Sequence, residues 1–123
     1  NRIEKNLFSA TLKNMNLLEK SLIELNKGKV DPSYFGDLLN QQHRILRDDL
    51  NVSTRKIESM LSASKLAGAF GGKINGSGGG GCMFAYAPDN PKKVASAIES
   101  VGGRAYIIGK DEGTKILSKW RSK

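Results

Sequence analysis

The sequence of 123 residues contains one cysteine, Cys82, and one histidine, His43. A single cysteine excludes an internal disulfide, and with a single histidine it leaves no set of residues that could ligate zinc. No apolar run approaches the roughly 20 residues that a bilayer-spanning helix needs. We therefore expect a protein of the reducing cytoplasm that neither spans a membrane nor carries a metal site of its own.

Acidic residues are also scarce, since 12 Asp and Glu stand against 20 Lys and Arg and give a net charge of +8. A surplus of this size raises nucleic acid or another polyanion as a partner. The basic residues are spread along the chain, however, and only the tail from Lys115 to Lys123 is dense in them. The distribution disfavours nucleic-acid binding.

The length suits one compact domain. The first residue is Asn1 rather than Met, and the opening stretch lacks the cleavage pattern of a signal peptide. We expect a piece of a longer protein, with one domain over residues 1–114 and a basic tail over residues 115–123.

Capping residues and helical spacing of apolar residues predict three helices in the first half of the chain. The predicted bounds are Ile3 to Gly28, Asp31 with Pro32 to about Asp49, and Ser53 as N-terminal cap to Gly68.

The second half differs in composition, because eight of the 14 glycines lie between positions 68 and 81. Glycine at that density is costly in a helix, which favours strands and loops. The predicted elements are a strand around Lys73 and Ile74, a loop from Gly76 to Gly81, a buried strand from Cys82 to Ala87, a helix that Asn90 caps and Gly102 ends, and a strand from Arg104 to Ile108.

Helices followed by strand, strand, helix and strand make up most of a split β-α-β arrangement. We predict an α+β fold of the ferredoxin-like kind, with several N-terminal helices packed on a small antiparallel sheet. The first strand of that arrangement is missing and would precede Asn1. The unpaired sheet edge would invite a second copy, so an edge-strand dimer is expected.

The segment from Lys73 to Cys82 is the most informative part of the sequence. Its glycines permit positive φ, and successive N–H groups there can form an anion-binding nest. Gly76, Gly78 and Gly81 have the spacing of a dinucleotide-binding fingerprint, but that motif needs a helix after the loop, and here a strand follows. The Walker pattern fails because Ile74 stands where it needs Ser or Thr. A loop that only joins two strands is the alternative.

A longer string from Gly68 to Cys82, GAFGGKINGSGGGGC, resembles the third motif of the GHMP kinases, the superfamily of galactokinase, homoserine kinase, mevalonate kinase and phosphomevalonate kinase. The segment from His43 to Ser53 resembles a galactokinase segment with a histidine, a leucine-arginine-aspartate turn and then valine-serine. Lys73 and the unbroken glycines look closer to galactokinase-like sugar kinases and heptose kinases. The resemblance covers Asn1 to about Thr114.

The resemblance implies the C-terminal domain of a kinase that uses ATP and Mg²⁺ to phosphorylate a small alcohol, here a sugar. The protein's own N-terminal kinase domain would be its partner and would supply the main phosphate loop and the catalytic aspartate. No catalytic residue is therefore expected in this chain, and the chain alone is predicted to be inactive. The residues expected to face the cleft are Gly76, Ser77, Gly78, Gly79, Gly80 and Gly81, which would act through backbone N–H groups and the Ser77 hydroxyl.

Three residues are candidates for accessory roles: Lys73, Asn75 and His43. Lys73 could offset phosphate charge or be a surface lysine at the end of a strand. His43 could orient a substrate or be structural or solvated.

Other polar and aromatic residues receive structural interpretations. Cys82 is expected to pack as a small buried apolar residue. Asp48 and Asp49 are expected to pair with nearby arginines, because adjacent helix positions point to different sides. Phe84 and Tyr86 share a strand face and are expected in the core.

Two other functions fit the composition. A free-standing basic ferredoxin-like module could bind RNA or another polyanion through its charge and the strand with Phe84 and Tyr86. No RNP-like aromatic motif is present, and that strand is too apolar for an exposed face. A regulatory domain that kept the fold and lost the chemistry is the third possibility.

Overall fold

Helices precede a small sheet in a computed structural model of the chain, which describes residues 1–115. The elements are α1 (Arg2–Leu25), α2 (Pro32–Arg44), a π-helical turn (Ile45–Asp49), α3 (Arg55–Leu66), β1 (Gly71–Asn75), β2 (Cys82–Tyr86) and α4 (Pro91–Ser100). The predicted order is confirmed as far as α4, and with it the α+β class. Most of the predicted basic tail, residues 116–123, lies outside the described residues.

The starts of α2 and α3 show where capping was predicted well and where it was not. The Asp31 carboxylate accepts hydrogen bonds from two N–H groups in the first turn of α2, as predicted. Thr54, and not Ser53, is the N-terminal cap of α3, and its Oγ1 accepts the Ile57 N–H at 3.3 Å. The prediction was wrong because the Ser53 hydroxyl donates to the Glu58 carboxylate instead.

The sheet consists of β1 and β2, which pair antiparallel with Gly71 opposite Tyr86 and Asn75 opposite Cys82. One of its faces, which includes Ile74 and Met83, packs against α3 and α4. The buried residues of this core are Ile57, Met60, Ala69, Ile74, Val94 and Ile98. Apolar side chains from the sheet and two helices therefore form the main core of the molecule.

Helix α2 packs so closely against β1 and the residue before it that the two backbones are in contact. A Cβ atom on Gly36 would collide with the backbone of Phe70, and one on Gly71 would collide with the backbone of Gly36. Asn40, one turn further along α2, accepts the Gly72 N–H at 3.1 Å and donates to the Phe70 carbonyl at 3.3 Å. Glycines and one amide side chain thus hold α2 along the strand edge.

Helix α1 buries only a narrow stripe. Ala10 and Leu17 pack with Leu38 of α2 and Ile45 of the π turn in a second, smaller core. The large apolar residues of α1 that remain exposed, which we call the α1 apolar face, are Ile3, Leu7, Phe8, Leu12, Met15, Leu18, Leu22, Ile23 and Leu25. The apolar spacing that predicted α1 therefore belongs mainly to a face that the described residues leave uncovered.

The predicted strand from Arg104 to Ile108 does not form. Gly103 and Ala105 touch the main core, but Tyr106 and Ile108 are exposed, and no part of 101–115 is strand. A strand must pair its backbone groups with a neighbouring strand, and among residues 1–115 the sheet contains only β1 and β2, with residues 104–108 joined to neither. The ferredoxin-like completion of the sheet stays a prediction.

Two smaller predictions around β2 are also wrong. Cys82 is exposed, because it opens β2 at the end of the sheet next to the glycine loop. Strand β2 is half-buried beyond that residue instead of buried. Asn90 is the N-cap of α4, with Pro91 at the first helical position as predicted, although its side chain makes no capping bond.

Within residues 1–115, no helix is both long enough and apolar enough to cross a bilayer.

Candidate functional site

The glycine loop, residues 76–81, joins β1 to β2 in a conformation that other residues rarely adopt. Its five glycines all have positive φ, between 77° and 134°. L-residues are strained in this region of φ, which explains why the sequence is nearly pure glycine here. The loop is thus a defined backbone shape and not an arbitrary connection.

One neighbouring residue, Val52, holds the loop in place. The Gly79 N–H donates to the Val52 carbonyl at 2.7 Å. A Cβ atom on Gly78 would lie 2.6 Å from Val52 Cβ, so only glycine allows this approach. Val52 belongs to the short segment, residues 50–54, that links the π turn to α3. The loop therefore rests on the start of α3.

The remaining N–H groups of the loop are available to a ligand. Within residues 1–115, no hydrogen-bond acceptor meets the N–H groups of Gly76, Ser77, Gly78, Gly80 and Gly81. Gly79 differs, because its N–H is used by Val52. Several unpaired N–H groups in one short turn are the chemistry that binds an anion such as phosphate.

The Ser77 hydroxyl and Asn75 side chain are both exposed at this end of the sheet. Neither makes a side-chain hydrogen bond within the described residues. Ser77 can therefore offer its hydroxyl to a ligand at the loop, and Asn75 lies at the last position of β1, directly before it.

Lys73 lies three residues before the loop and is half-buried. Its Nζ donates to the Ile74 carbonyl at 2.8 Å and stands 5.7 Å from the centre of the Phe84 ring. Burial lowers the pKa of Lys73. The ammonium group is thus engaged within the protein, which favours the structural interpretation of this residue.

His43 is not in the loop but buried in α2, and its Nε2 lies 2.6 Å from Glu58 Oε1. Burial raises the pKa of Glu58, but hydrogen bonds from Ser53 and His43 and the charge of Arg47 outweigh it and leave the pKa below its ordinary value. An ionised carboxylate only accepts, so His43 Nε2 carries the proton. His43 is therefore structural.

The two adjacent aspartates serve separate ion pairs. Asp48 binds Arg47, as expected, and hydrogen bonds from Arg47 hold the pKa of Asp48 below its usual value. Asp49 lies 3.6 Å from Lys13 instead of an arginine. In the described part of the chain, no group of three or more His, Cys, Asp or Glu residues could hold a metal ion. We therefore assign no magnesium ligand to these residues.

Sequence reasoning missed Val52, whose carbonyl accepts the Gly79 N–H, and Glu58, whose carboxylate accepts the hydroxyl of the next residue, Ser53. The signal was present, since the valine-serine pair was part of the resemblance in residues 43–53. What the sequence could not show is that a backbone carbonyl, and not a side chain, makes the contact.

Fold and loop together define an α+β module whose glycine turn contacts Val52 and has N–H groups without an acceptor among residues 1–115. A family model described as "GHMP kinases C terminal" matches residues 12–104. The chain belongs to the GHMP kinase family, as its C-terminal domain. The predicted resemblance is confirmed.

Individual relatives are kinases of small molecules. A mevalonate kinase of Thermococcus onnurineus is 48% identical over 82 residues, which are 66% of this chain and 24% of that protein. A galactokinase of Lactococcus lactis is 39% identical over 79 residues, 61% of this chain and 19% of that protein. The crystal structure of L. major mevalonate kinase in complex with R-mevalonate superposes with a TM-score of 0.57 at 30% identity, and covers 70% of this chain and 25% of that one. The chain spans about a quarter of the length of the mevalonate kinases.

Proposed function

We propose that this chain is the part of an ATP-dependent small-molecule kinase that closes the phosphate site with its glycine loop. The observation that carries the proposal is the loop itself, whose N–H groups at five of six positions are free within residues 1–115. Phosphoryl transfer depends mainly on positioning and on stabilising charge on the phosphoryl oxygens. A fixed turn of N–H donors meets that need without a charged side chain.

The role of each loop residue follows from its contacts. Gly79 and Gly78 hold the turn on Val52, and the free N–H groups, with the Ser77 hydroxyl, would donate to oxygens of ATP or of the acceptor. ATP is the phosphoryl donor in this proposal. Magnesium would be bound in the complete protein, and we assign no ligand for it to the described residues of this chain.

The acceptor that we propose first is mevalonate. Six mevalonate kinases of Thermococcus and Pyrococcus species match with 47–50% identity over 68–83 residues, whereas the galactokinase matches with 39% and a mevalonate kinase of Methanothermobacter thermautotrophicus with 37%. A sugar, the acceptor expected from the sequence, is the second candidate, and the galactokinase match is what favours it.

The proposed partner is the remaining part of a two-domain kinase. Relatives are about four times as long as the matched segment, and the α1 apolar face is a large surface of the kind that another part of a protein covers. We expect the chain alone to transfer no phosphoryl group, because it would contribute only one side of the cleft.

The test is an assay of the complete protein that contains this chain, with ATP and either mevalonate or galactose. The variant is Gly79→Val, and the matched control is Gly28→Val. Gly79 and Gly28 have φ near 80° and no neighbour within 4 Å of an added Cβ, so the backbone strain is similar. Gly28 lies beyond the end of α1, away from the loop.

We expect acceptor-dependent ATP consumption that Gly79→Val reduces about 100-fold or more, because valine does not tolerate the positive φ and the altered backbone would displace the free N–H donors of the loop. Gly28→Val should leave this activity within about twofold of the original. If the protein phosphorylates galactose but not mevalonate, a sugar replaces mevalonate as the proposed acceptor. Folded protein that is silent with both would favour a regulatory domain.

A further inference from the structure

Glu58 lies at the centre of a side-chain cluster behind the glycine loop. Its Oε1 accepts hydrogen bonds from the Ser53 hydroxyl at 2.5 Å and from His43 Nε2 at 2.6 Å. Its Oε2 lies 3.6 Å from Arg47 Nη1. His43 belongs to α2, Arg47 to the π turn and Glu58 to α3. One carboxylate therefore ties three elements to the linking segment, residues 50–54.

The hydrogen bond to Ser53 bears directly on the loop. The Val52 carbonyl and the Ser53 nitrogen belong to one planar peptide group. The hydrogen bond from the Ser53 hydroxyl to Glu58 holds the Ser53 side chain, and through the Cα of Ser53 it limits how far this peptide group can turn. That carbonyl receives the Gly79 N–H at 2.7 Å, while the Val52 N–H is held by the Leu46 carbonyl at 3.0 Å.

We propose that Glu58 is a positioning residue for the glycine loop. It holds Ser53, the Ser53 peptide directs the Val52 carbonyl, and that carbonyl sets the place of Gly79. Glu58 acts through these groups and does not bind the ligand. The consequence for catalysis rests on the proposed function, but the positioning itself is a property of this chain and can be tested without ATP.

The test is amide hydrogen exchange of the 123-residue chain, followed by NMR. Glu58→Gln removes the charge and keeps the shape, and Glu99→Gln, an exposed position in α4, is the matched control. We expect exchange at Gly79 to become about tenfold faster in Glu58→Gln, because a neutral amide oxygen accepts the Ser53 hydroxyl more weakly than the carboxylate does. Exchange at Ile98, within α4, should stay unchanged in both variants.

A second pair of variants keeps the test decisive where Glu58→Gln does not fold. Ser53→Ala removes the hydroxyl, and Ser53→Thr keeps it. Faster exchange at Gly79 in the alanine variant, with near-normal exchange in the threonine variant, would support the proposal. Unchanged exchange at Gly79, or a uniform increase at Gly79 and Ile98, would overturn it and leave Glu58 with a general structural role.

The two proposals can fail separately. If exchange at Gly79 becomes faster in the variants and the complete protein is inactive, the positioning role of Glu58 stands and the proposed kinase function is rejected. If the complete protein is active and exchange at Gly79 is unchanged in the Glu58 and Ser53 variants, the kinase function stands and the positioning role is rejected.

Discussion

Two glycines of the loop that look alike in the sequence differ in what surrounds them. Gly78 and Gly76 both have positive φ, at 82° and 88°. An added Cβ at Gly78 would lie 2.6 Å from Val52 Cβ, whereas at Gly76 it would meet nothing within 4 Å. The backbone strain is thus shared, and the collision is specific to Gly78.

We expect Gly78→Ala to destabilise the chain more than Gly76→Ala. Both variants lose about 1–2 kcal/mol from the positive φ. Gly78→Ala should lose about 1–3 kcal/mol more, as in other cases of overpacking. Urea unfolding of the two variants gives the comparison, and equal free energies of unfolding would show that Val52 does not constrain the loop.

Lys73 provides a pH-dependent prediction. Burial lowers the pKa of Lys73 in the folded chain, so the unfolded chain binds more protons between the folded pKa and the ordinary value near 10.5. Stability should therefore rise with pH in that window. Lys73→Met should lack this rise, and Lys92→Met, at an exposed position of α4, should retain it. The unfolding midpoints of the three proteins at pH 8 and pH 10 measure the difference. If the midpoint changes equally with pH in the original chain and in both variants, Lys73 is not the source of the rise.

At the scale of elements, the contact between α2 and β1 depends on Asn40. Its side chain bonds both the Gly72 N–H and the Phe70 carbonyl, at a strand edge that no other strand covers in the described residues. Asn40→Ala leaves these two half-buried backbone groups unpaired. We expect a loss of about 1–3 kcal/mol in the free energy of unfolding.

Asn16→Ala is the matched control for that prediction, because Asn16 is an exposed helical residue and the gain in helix propensity is the same. The control should be neutral or slightly stabilising in urea unfolding. A similar effect for Asn16 and Asn40 would mean that the side-chain bonds to the strand contribute nothing.

The link between Glu58 and its partners adds a pH prediction at the same scale. Glu58 faces His43, Arg47 and the Ser53 hydroxyl, and its folded pKa lies below 4.5. Its contribution to stability is therefore complete above the unfolded pKa and is lost as pH falls through the folded pKa. The stability difference between the original chain and Glu58→Gln should shrink between pH 6 and pH 3. A difference that is constant over this range would contradict the role of the charge.

Local patterns and long-range contacts account for what the sequence could and could not predict. The start of α2 and the glycine turn follow from short signals, Asp31 with Pro32 and the unusual density of glycine. The end of α2 at Arg44 does not, because the sequence predicted one helix to about Asp49 and the structure has a π turn from Ile45 to Asp49. The role of Val52 depends on a backbone carbonyl that meets Gly79, 27 residues away along the chain. Arg104 to Ile108 has the composition of a strand, but pairing decides whether one forms.

Residues 1–115 are organised around two cores of unequal size, and α1 contributes its apolar side chains to the smaller one. The main α1 contacts are with α2 and the π turn. Phe8 is 67% exposed and Met15 54% exposed, whereas Leu17 on the other side of α1 is 7% exposed. Substitutions on the two sides of this helix should therefore differ in their effect on the free energy of unfolding.

We expect the double variant Phe8→Gln and Met15→Gln to keep the stability of the chain within about 0.5 kcal/mol, as for exposed positions. The same variant should reduce self-association in sedimentation velocity, because a large uncovered apolar face promotes contacts between copies. Leu17→Gln, in contrast, buries an amide without a partner and should cost about 2–5 kcal/mol.

If the double variant associates as strongly as the original chain, association must use another surface. The unpaired edge of the sheet, where the sequence predicted dimer formation, would then be the surface to test, and the α1 apolar face would lose its support as the contact with the rest of the kinase.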